Sequence, residues 1–441
     1  MNIKIDSRKV NKGDTFIALK GVKKNGIDYV DDAIKRGASK VIVESGDYSV
    51  DTIVVSDTNE YLKKYLYDNY YDLIKNIKLI GMTGTNGKTT TCFLIYQALN
   101  KVGIKCAYIG TIGFYINDKK YELKNTTPNL YEIYDMLLKC NEYNIQYVVM
   151  EVSSQGLDMG RVDTLEFEYA ILSNLTQDHL DYHGNMENYA KAKQKLFKHT
   201  NYAIVNSDDE HSNYFLLDNR NITYGINGDY KISDIKCSLS GSNFKLNNEE
   251  YYTKLIGEYN VYNMSVVIII LKLLNIDDIS NLISSLDSPR GRMDIIKYND
   301  NNIIVDYAHT PDAVEKIIKE VSKIKHNRVI TLIGCGGNRD KTKRPIMGKI
   351  ATDFSDYVVF TSDNPRFENP KRILKDITCK LDASNYKIIT NRKKAIKSAI
   401  QMLTKNDILL LLGKGHEEYQ IIKDKVKPFS DKDIVLKYIR R

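Results

Sequence analysis

The chain has 441 residues, 42% hydrophobic and 27% charged, a length that exceeds one ordinary core and fits two or three domains. Its 64 basic and 56 acidic residues leave a net charge of +8 without a long basic block, and its 32 tyrosines are scattered, so a nucleic-acid partner is not expected. No apolar run reaches the roughly 20 residues that span a bilayer, and the opening Met1-Asn-Ile-Lys-Ile-Asp6 lacks the regions of a signal peptide, so a cytoplasmic protein with no membrane association is expected.

Residues 1–75 read as a small mixed α/β unit. Short strands are predicted at residues 3–6, 16–18, 41–43 and 53–55, closed by a Tyr-rich helix over about 60–73. Residues 76–288 open with a strand at 77–80, a Gly-rich turn and a helix from Thr89 to Lys101. Apolar strands follow at 147–150, 169–172 and 203–205, and the run from Val266 to Leu274, which contains Lys272, reads as a buried helix. Residues 289–441 repeat the rhythm, with strands at 303–305, 329–333, 357–360, 387–389 and 408–412 and helices at 312–324 and 392–403. Alternating strands and helices predict an α/β fold of three domains. The central one is a P-loop-like parallel-sheet ATPase domain and the last a Rossmann-like, doubly wound domain. Ligands of such sheets sit outside the carboxyl ends of the strands. The six cysteines are scattered with no CxxC pair, which offers neither a zinc site nor a disulfide framework.

Gly81-Met-Thr-Gly-Thr-Asn-Gly-Lys-Thr-Thr90 joins strand to helix. Glycines let backbone N–H groups crowd a phosphate, and the helix N-terminus adds a favourable dipole. Gly84, Thr85, Asn86, Gly87 and Thr90 form the cradle; Lys88 can reach the terminal phosphates and the Thr89 hydroxyl can bind Mg²⁺. The spacing departs from a strict P-loop, which needs Gly where this chain has Met82. Kinases, ATPases and ligases share such a loop, so it alone does not name the reaction.

Thr83-Gly-Thr-Asn-Gly-Lys-Thr-Thr90 resembles the ATP loop of the Mur ligases, which build the peptide stem of peptidoglycan precursors. The similar stretches run through the chain in order: Asp6-Ser-Arg8, Gly13 to Ala18, Asn125-Thr-Thr-Pro128, Glu151-Val-Ser-Ser154, Leu175 to Gly184, Gly291-Arg-Met293, Asp306 to Asp312, Gly336 to Pro345, Asp363-Asn-Pro-Arg366 and Gly413-Lys-Gly-His-Glu417. The resemblance covers nearly the whole chain and implies a UDP-sugar domain (1–75), an ATP domain (76–288) and a mobile amino-acid-binding domain (289–441). The implied reaction joins meso-2,6-diaminopimelate to UDP-N-acetylmuramoyl-L-alanyl-D-glutamate through an acyl phosphate, with a monomeric enzyme, ATP, Mg²⁺ and CO₂ held as a lysine carbamate.

It also implies roles for particular residues. Glu151 and His179 would be metal ligands, although an isolated His is more often structural. Lys193 would be the carbamylated lysine, which requires a site that depresses its pKa; the flanking Lys191 and Lys195 favour the competing reading of an ordinary surface helix. Asn263, Arg292 and Asp306 would join the ATP site, with His309 contacting the nucleotide or organising closure. Asn125, Thr126, Thr127, Ser153 and Arg161 would bind the peptide part of the UDP substrate, near Gln155 where the family often has His. Ile5, Ser7, Val22, Lys23 and Lys24 would lie near the uridine diphosphate, a generic N-terminal hairpin being the alternative. Arg339, Asp363, Asn364, Pro365, Arg366, Gly413 and Glu417 would bind diaminopimelate. Arg366 would pair with the distal carboxylate that lysine lacks. The alternatives are a lysine-adding ligase, a folylpolyglutamate synthase or, from another class, a P-loop ATPase or nucleotide-sensing module.

Overall fold

The structure, a computed structural model, describes residues 1–21, 25–324 and 327–440. Among them, three parallel-cored sheets follow one another along the chain. The first holds strands Ile3–Lys4, Thr15–Ile17, Lys40–Val43 and Asp51–Val54, all parallel. The first two strands pair parallel, so the N-terminal hairpin considered from sequence does not form. The helix Thr58–Ile74 begins at Asp57, whose carboxylate accepts the N–H groups of Asn59 and Glu60. Its Leu62, Leu66 and Ile74 share a core with Ile133 and Leu137 of the helix Leu130–Glu142, which seats the first unit on the second.

The second sheet has eleven strands, in the order Glu249–Thr253, Gly241–Leu246, Tyr230–Ser238, Asn221–Gly225, Thr200–Asn206, Phe167–Leu172, Lys78–Thr83, Tyr147–Glu151, Cys106–Gly110, Gly113–Ile116, Lys119–Tyr121. The run from Tyr230–Ser238 to Cys106–Gly110 is parallel, and antiparallel strands extend both edges. Those edge strands were not read from sequence. Their signal is weak: Tyr230–Ser238 alternates in burial, and the Asn247-Asn248 turn after Gly241–Leu246 has φ of 48° and 67°, the geometry of a two-residue hairpin. Glu258–Leu273 is the buried helix expected around Val266; it is apolar on nearly all sides and packs against Lys88–Lys101.

The third sheet runs Asp294–Tyr298, Asn301–Asp306, Ile408–Leu412, Val329–Ile333, Tyr357–Phe360, Tyr386–Ile388, parallel except for its first strand. Separate apolar clusters cover its two faces, as a doubly wound sheet requires. All six cysteines are free, four of them buried. No helix among the described residues is long and apolar enough to cross a membrane.

One buried ion pair ties the last helix, Asp431–Ile439, to this sheet. Arg392 donates to both carboxylate oxygens of Asp431 (2.8 and 2.6 Å) and to the Leu412 carbonyl (3.0 Å), with both side chains fully buried. Removing one partner strands the other charge away from water, so Arg392→Met is expected to lower the unfolding free energy by about 3 kcal/mol, read from urea denaturation.

Candidate active site

Strand Lys78–Thr83 lies between Tyr147–Glu151 and Phe167–Leu172, with Met82 level with Glu151 and Thr83 with Leu172. Three carboxyl ends therefore converge on one point. The chain leaves Thr83 through Gly84 (φ +142°) and enters the helix Lys88–Lys101 through Gly87 (φ +88°). A Cβ at Gly84 would stand 2.0 Å from the Ser173 hydroxyl, and one at Gly87 2.6 Å from Asn263 Oδ1, so both positions require glycine. The loop is braced from the next strand's end. The Asn86 N–H donates to Asn174 Oδ1 (3.0 Å), the Ser173 hydroxyl to the Asn86 carbonyl (2.6 Å), and the Thr85 hydroxyl to the Thr176 carbonyl (3.0 Å). Asn263 accepts the Thr91 hydroxyl (3.1 Å), which seats the loop's helix on Glu258–Leu273, and Thr90 is buried in that helix's first turn.

Lys88 donates to the carbonyls of Gly84 (2.6 Å) and Thr85 (3.0 Å). Burial pushes its pKa down, partly offset by the Glu151 charge. Glu151 is buried at the end of its strand, which removes the exposed strand-end reading. Its Oε1 accepts the Tyr108 hydroxyl and the Thr111 N–H (2.9 Å); its Oε2 accepts the hydroxyls of Thr89 (2.9 Å) and Thr111 (3.1 Å). Thr89 Oγ1 and Glu151 Oε2 thus form a pair of hard oxygen donors beside the loop. They fit a Mg²⁺ ion that completes its octahedron with phosphate and water, whereas no group of three His, Cys, Asp or Glu among the described residues forms a metal cage by itself.

Lys193 lies on the helix Met186–Gln194 but is only 1% exposed, so the surface-helix reading fails for it while Lys191 beside it is exposed. Its amine donates to the Gly84 carbonyl (2.9 Å) from behind the loop, at 4.5 Å from the Tyr189 ring centre. Burial, then the nearby Lys88 charge, holds its pKa well below the ordinary lysine range, the direction that favours the neutral amine. His179 sits in a left-handed conformation (φ 55°) at 3.5 Å from Asp178. Burial lowers its pKa, reinforced by Lys88 and Lys193 and opposed by Asp178.

A cavity of about 1020 Å³ runs from this loop to the third sheet. On the loop side it is lined by Lys88, Thr89, Glu151, His179, Thr126 and Ser153; on the far side by Arg339, Asp363, Asn364, Arg366, Gly413 and Glu417. Between them stand Arg292, Asp306 and His309. Arg292 spans the two units, its guanidinium 4.5 Å from the Tyr307 ring and donating to Thr89 Oγ1 (3.2 Å). Asp306 accepts the N–H groups of Met293 (2.8 Å) and Ala308 (2.7 Å). Asn86 Nδ2 donates to Asp312 Oδ2 (2.7 Å), a second link between the loop and the third unit that the sequence reading missed.

On the far side, Glu417 Oε2 accepts Asn364 Nδ2 (2.8 Å) and the buried Lys414 ammonium (2.7 Å), which also donates to Asn364 Oδ1 (3.2 Å). Lys414 was not assigned from sequence although it lies inside the quoted Gly413–Glu417 stretch. Burial raises the Glu417 pKa. Arg366 has φ 49° and donates to the Gly337 carbonyl (2.9 Å) beside buried Pro365, while Arg339 is exposed.

The peptide-binding candidates divide. Thr127 accepts the Ser153 N–H (2.8 Å), Arg161 donates to the Thr127 carbonyl (2.6 Å), and Ser153 caps the helix Ser154–Asp158. Thr126 meets the Thr111 hydroxyl at 3.1 Å, and Gln155 faces the cavity. Thr127 and Arg161 stand behind the cavity wall, and exposed Asn125 lies outside it; Ile5 and buried Ser7 of the first unit do not line the cavity either. Val22, Lys23 and Lys24 lie outside the described residues.

A phosphate cradle, an adjoining oxygen pair and a second polar wall across a cleft are the parts that an ATP-dependent, ADP-forming ligase needs. Sequence comparison agrees: the Mur ligase catalytic-domain pattern matches residues 1–73, the Mur ligase middle domain residues 82–271 and the Mur ligase glutamate ligase domain residues 291–415. The UDP-N-acetylmuramoyl-L-alanyl-D-glutamate–2,6-diaminopimelate ligase of Clostridium perfringens is 42% identical, over 98% of this chain and 94% of that protein. A solved structure bearing the same enzyme name is 33% identical with a TM-score of 0.69, over 99% of this chain and 94% of that one. The Thermotoga maritima MurF ligase, solved in complex with ADP, shares the fold with a TM-score of 0.69 at 20% identity, over 93% of each chain. The chain belongs to the Mur ligase family.

Burial holds the His309 pKa down at about 4 against an ordinary 6.5, with the Lys343 charge adding to the effect. Between those values the unfolded chain binds a proton that the folded chain does not. Stability is therefore lost as pH falls from 6.5 toward 4. His309→Asn is expected to flatten that slope by about 1 kcal/mol per pH unit, measured by urea titrations at successive pH.

Proposed function

We propose that this protein joins meso-2,6-diaminopimelate to UDP-N-acetylmuramoyl-L-alanyl-D-glutamate, forming an amide bond at the cost of ATP. The observation that supports this best is that one cavity has the nucleotide loop on one wall and Asp363, Asn364, Arg366 and Glu417 on the other. Residues 1–75 would hold the UDP-sugar, 76–288 the nucleotide and 289–441 the amino acid, in a monomeric cytoplasmic enzyme.

A carboxylate is a poor electrophile, and phosphorylating it supplies a leaving group. The γ-carboxylate of D-glutamate attacks the γ-phosphorus of ATP, releasing ADP and forming an acyl phosphate; the neutral amine of diaminopimelate then adds to the acyl carbon, and phosphate leaves. The loop N–H groups and the Lys88 ammonium stabilise charge on the transferring phosphoryl group. Bound Mg²⁺ would neutralise the phosphate oxygens, held by Thr89, Glu151 and His179. In its neutral form the Lys193 amine can add to CO₂ and release a proton, and the carbamate so formed would supply an oxygen donor at this buried position. Thr126, Thr127, Ser153 and Arg161 orient the dipeptide carboxylates; Asn263, Arg292 and Asp306 flank the nucleotide. Arg366 pairs bidentately with the distal carboxylate of the incoming amino acid, and Glu417 with its distal ammonium. The Asn86–Asp312 and Arg292–Thr89 contacts close the cleft against water, which would otherwise hydrolyse the acyl phosphate.

The test is phosphate release with one UDP-dipeptide and meso-diaminopimelate, L-lysine or L-ornithine. Release is expected to require the dipeptide and to favour diaminopimelate; a preference for lysine, or hydrolysis without either substrate, would replace the reading with a lysine-adding ligase or a plain ATPase. Arg366→Ala should cut kcat/KM for diaminopimelate by about 100-fold, the loss of a charge-assisted contact worth about 2–3 kcal/mol, and leave little discrimination against lysine. Lys193→Ala should lower kcat at least tenfold, and bicarbonate supplied to the unmodified protein after CO₂ depletion should restore its rate; a variant as fast as the parent would remove the carbamate from the scheme.

A further inference from the structure

Tyr108 sits on the strand Cys106–Gly110, in an otherwise apolar Cys-Ala-Tyr-Ile-Gly run. Its side chain is fully buried. Three rings pack around it: Phe93 at 5.9 Å and 88°, Tyr115 at 5.7 Å and 75°, and Tyr96 at 6.4 Å and 58°. Edge-on aromatic contacts of this kind fix a ring's orientation. What emerges from the aromatic box is the hydroxyl, and it donates to Glu151 Oε1.

The two oxygens of Glu151 are held differently. Oε1 receives the Tyr108 hydroxyl, on a ring locked by its neighbours, and the Thr111 backbone N–H, which cannot turn away. Oε2 receives two hydroxyls, Thr89 and Thr111, both of residues that line the cavity; a hydroxyl, unlike a backbone N–H, can turn its proton to another acceptor. One oxygen is clamped from behind and the other can be released to the cavity. Gly110 makes room for this arrangement: a Cβ there would lie 2.3 Å from both Glu151 Oε1 and the Tyr108 hydroxyl oxygen.

We infer that Tyr108 is a positioning residue, whose hydroxyl anchors Glu151 Oε1 so that Oε2 is presented to the nucleotide-bound magnesium. This rests on the metal-ligand role proposed for Glu151. The groups that orient a metal ligand commonly change metal affinity by about 10- to 100-fold when removed. Tyr108→Phe keeps the ring in its box and deletes only the anchoring hydroxyl.

The experiment uses the full chain with a non-hydrolysable ATP analogue and Mn²⁺ as the probe, its free concentration read by electron paramagnetic resonance in the absence of turnover. Tyr108→Phe is expected to weaken Mn²⁺ binding about tenfold. In turnover, the apparent Mg²⁺ constant should rise by the same factor while kcat at saturating Mg²⁺ stays within about twofold, a split that general destabilisation would not produce. Gly110→Ala, which pushes the pair apart with Tyr108 retained, should reproduce the weakened Mn²⁺ binding. Glu151→Gln separates the two levels of the argument. If it weakens Mn²⁺ binding while Tyr108→Phe does not, the positioning role is overturned and the metal-ligand reading stands. If neither variant alters Mn²⁺ binding, both fall together.

Discussion

The Glu151 carboxylate and the Lys193 amine are buried, beside the half-buried Lys88, around one turn at the end of the Lys78–Thr83 strand. Much of the surrounding structure keeps that crowding tolerable. Burying an ion is costly unless hydrogen bonds or opposite charges compensate it. Here the two lysines share the Gly84 carbonyl, from the cavity side and from behind, and Glu151 collects four donors. The glycines exist because the turn must pass within contact of Ser173 and Asn263. The parallel order of the central sheet exists, in functional terms, to bring three strand ends to one point.

The same crowding acts differently on the two lysines. Lys88 and Lys193 are both pushed toward neutrality by burial, but Glu151 opposes that shift at Lys88, whereas Lys88 itself reinforces it at Lys193. Across the cavity, burial raises Glu417 while Lys414 opposes the shift, and the Asn364–Lys414–Glu417 triangle fixes that wall of the cavity. That triangle and the loop belong to different sheets, so the chemistry depends on how Asn86, Asp312, Arg292 and Thr89 join the two units.

Most of the layered architecture was legible in the chain. Parallel strands buried on both faces read as short apolar runs, and the turn from Gly81 to Thr90 carries its own backbone requirements in its glycines. Amino-acid order also determined which stretches carry polar groups at strand ends, because ligand sites of such sheets fall there. What it could not decide were distances between stretches far apart in sequence. Lys193, between two other lysines, has the local pattern of a solvated helix; only its packing under Gly84 buries it. Tyr108 lies in an apolar strand and reads as core until the adjacent strand places Glu151 against its hydroxyl. The edge strands from Tyr230 to Thr253 are half-exposed and polar, so their pairing was settled by neighbours and by a turn of two asparagines rather than by hydrophobic pattern. Local sequence determines backbone preference and which faces seek burial; which charges end up sharing a buried pocket depends on long-range contacts, and these exist only once the sheets have assembled.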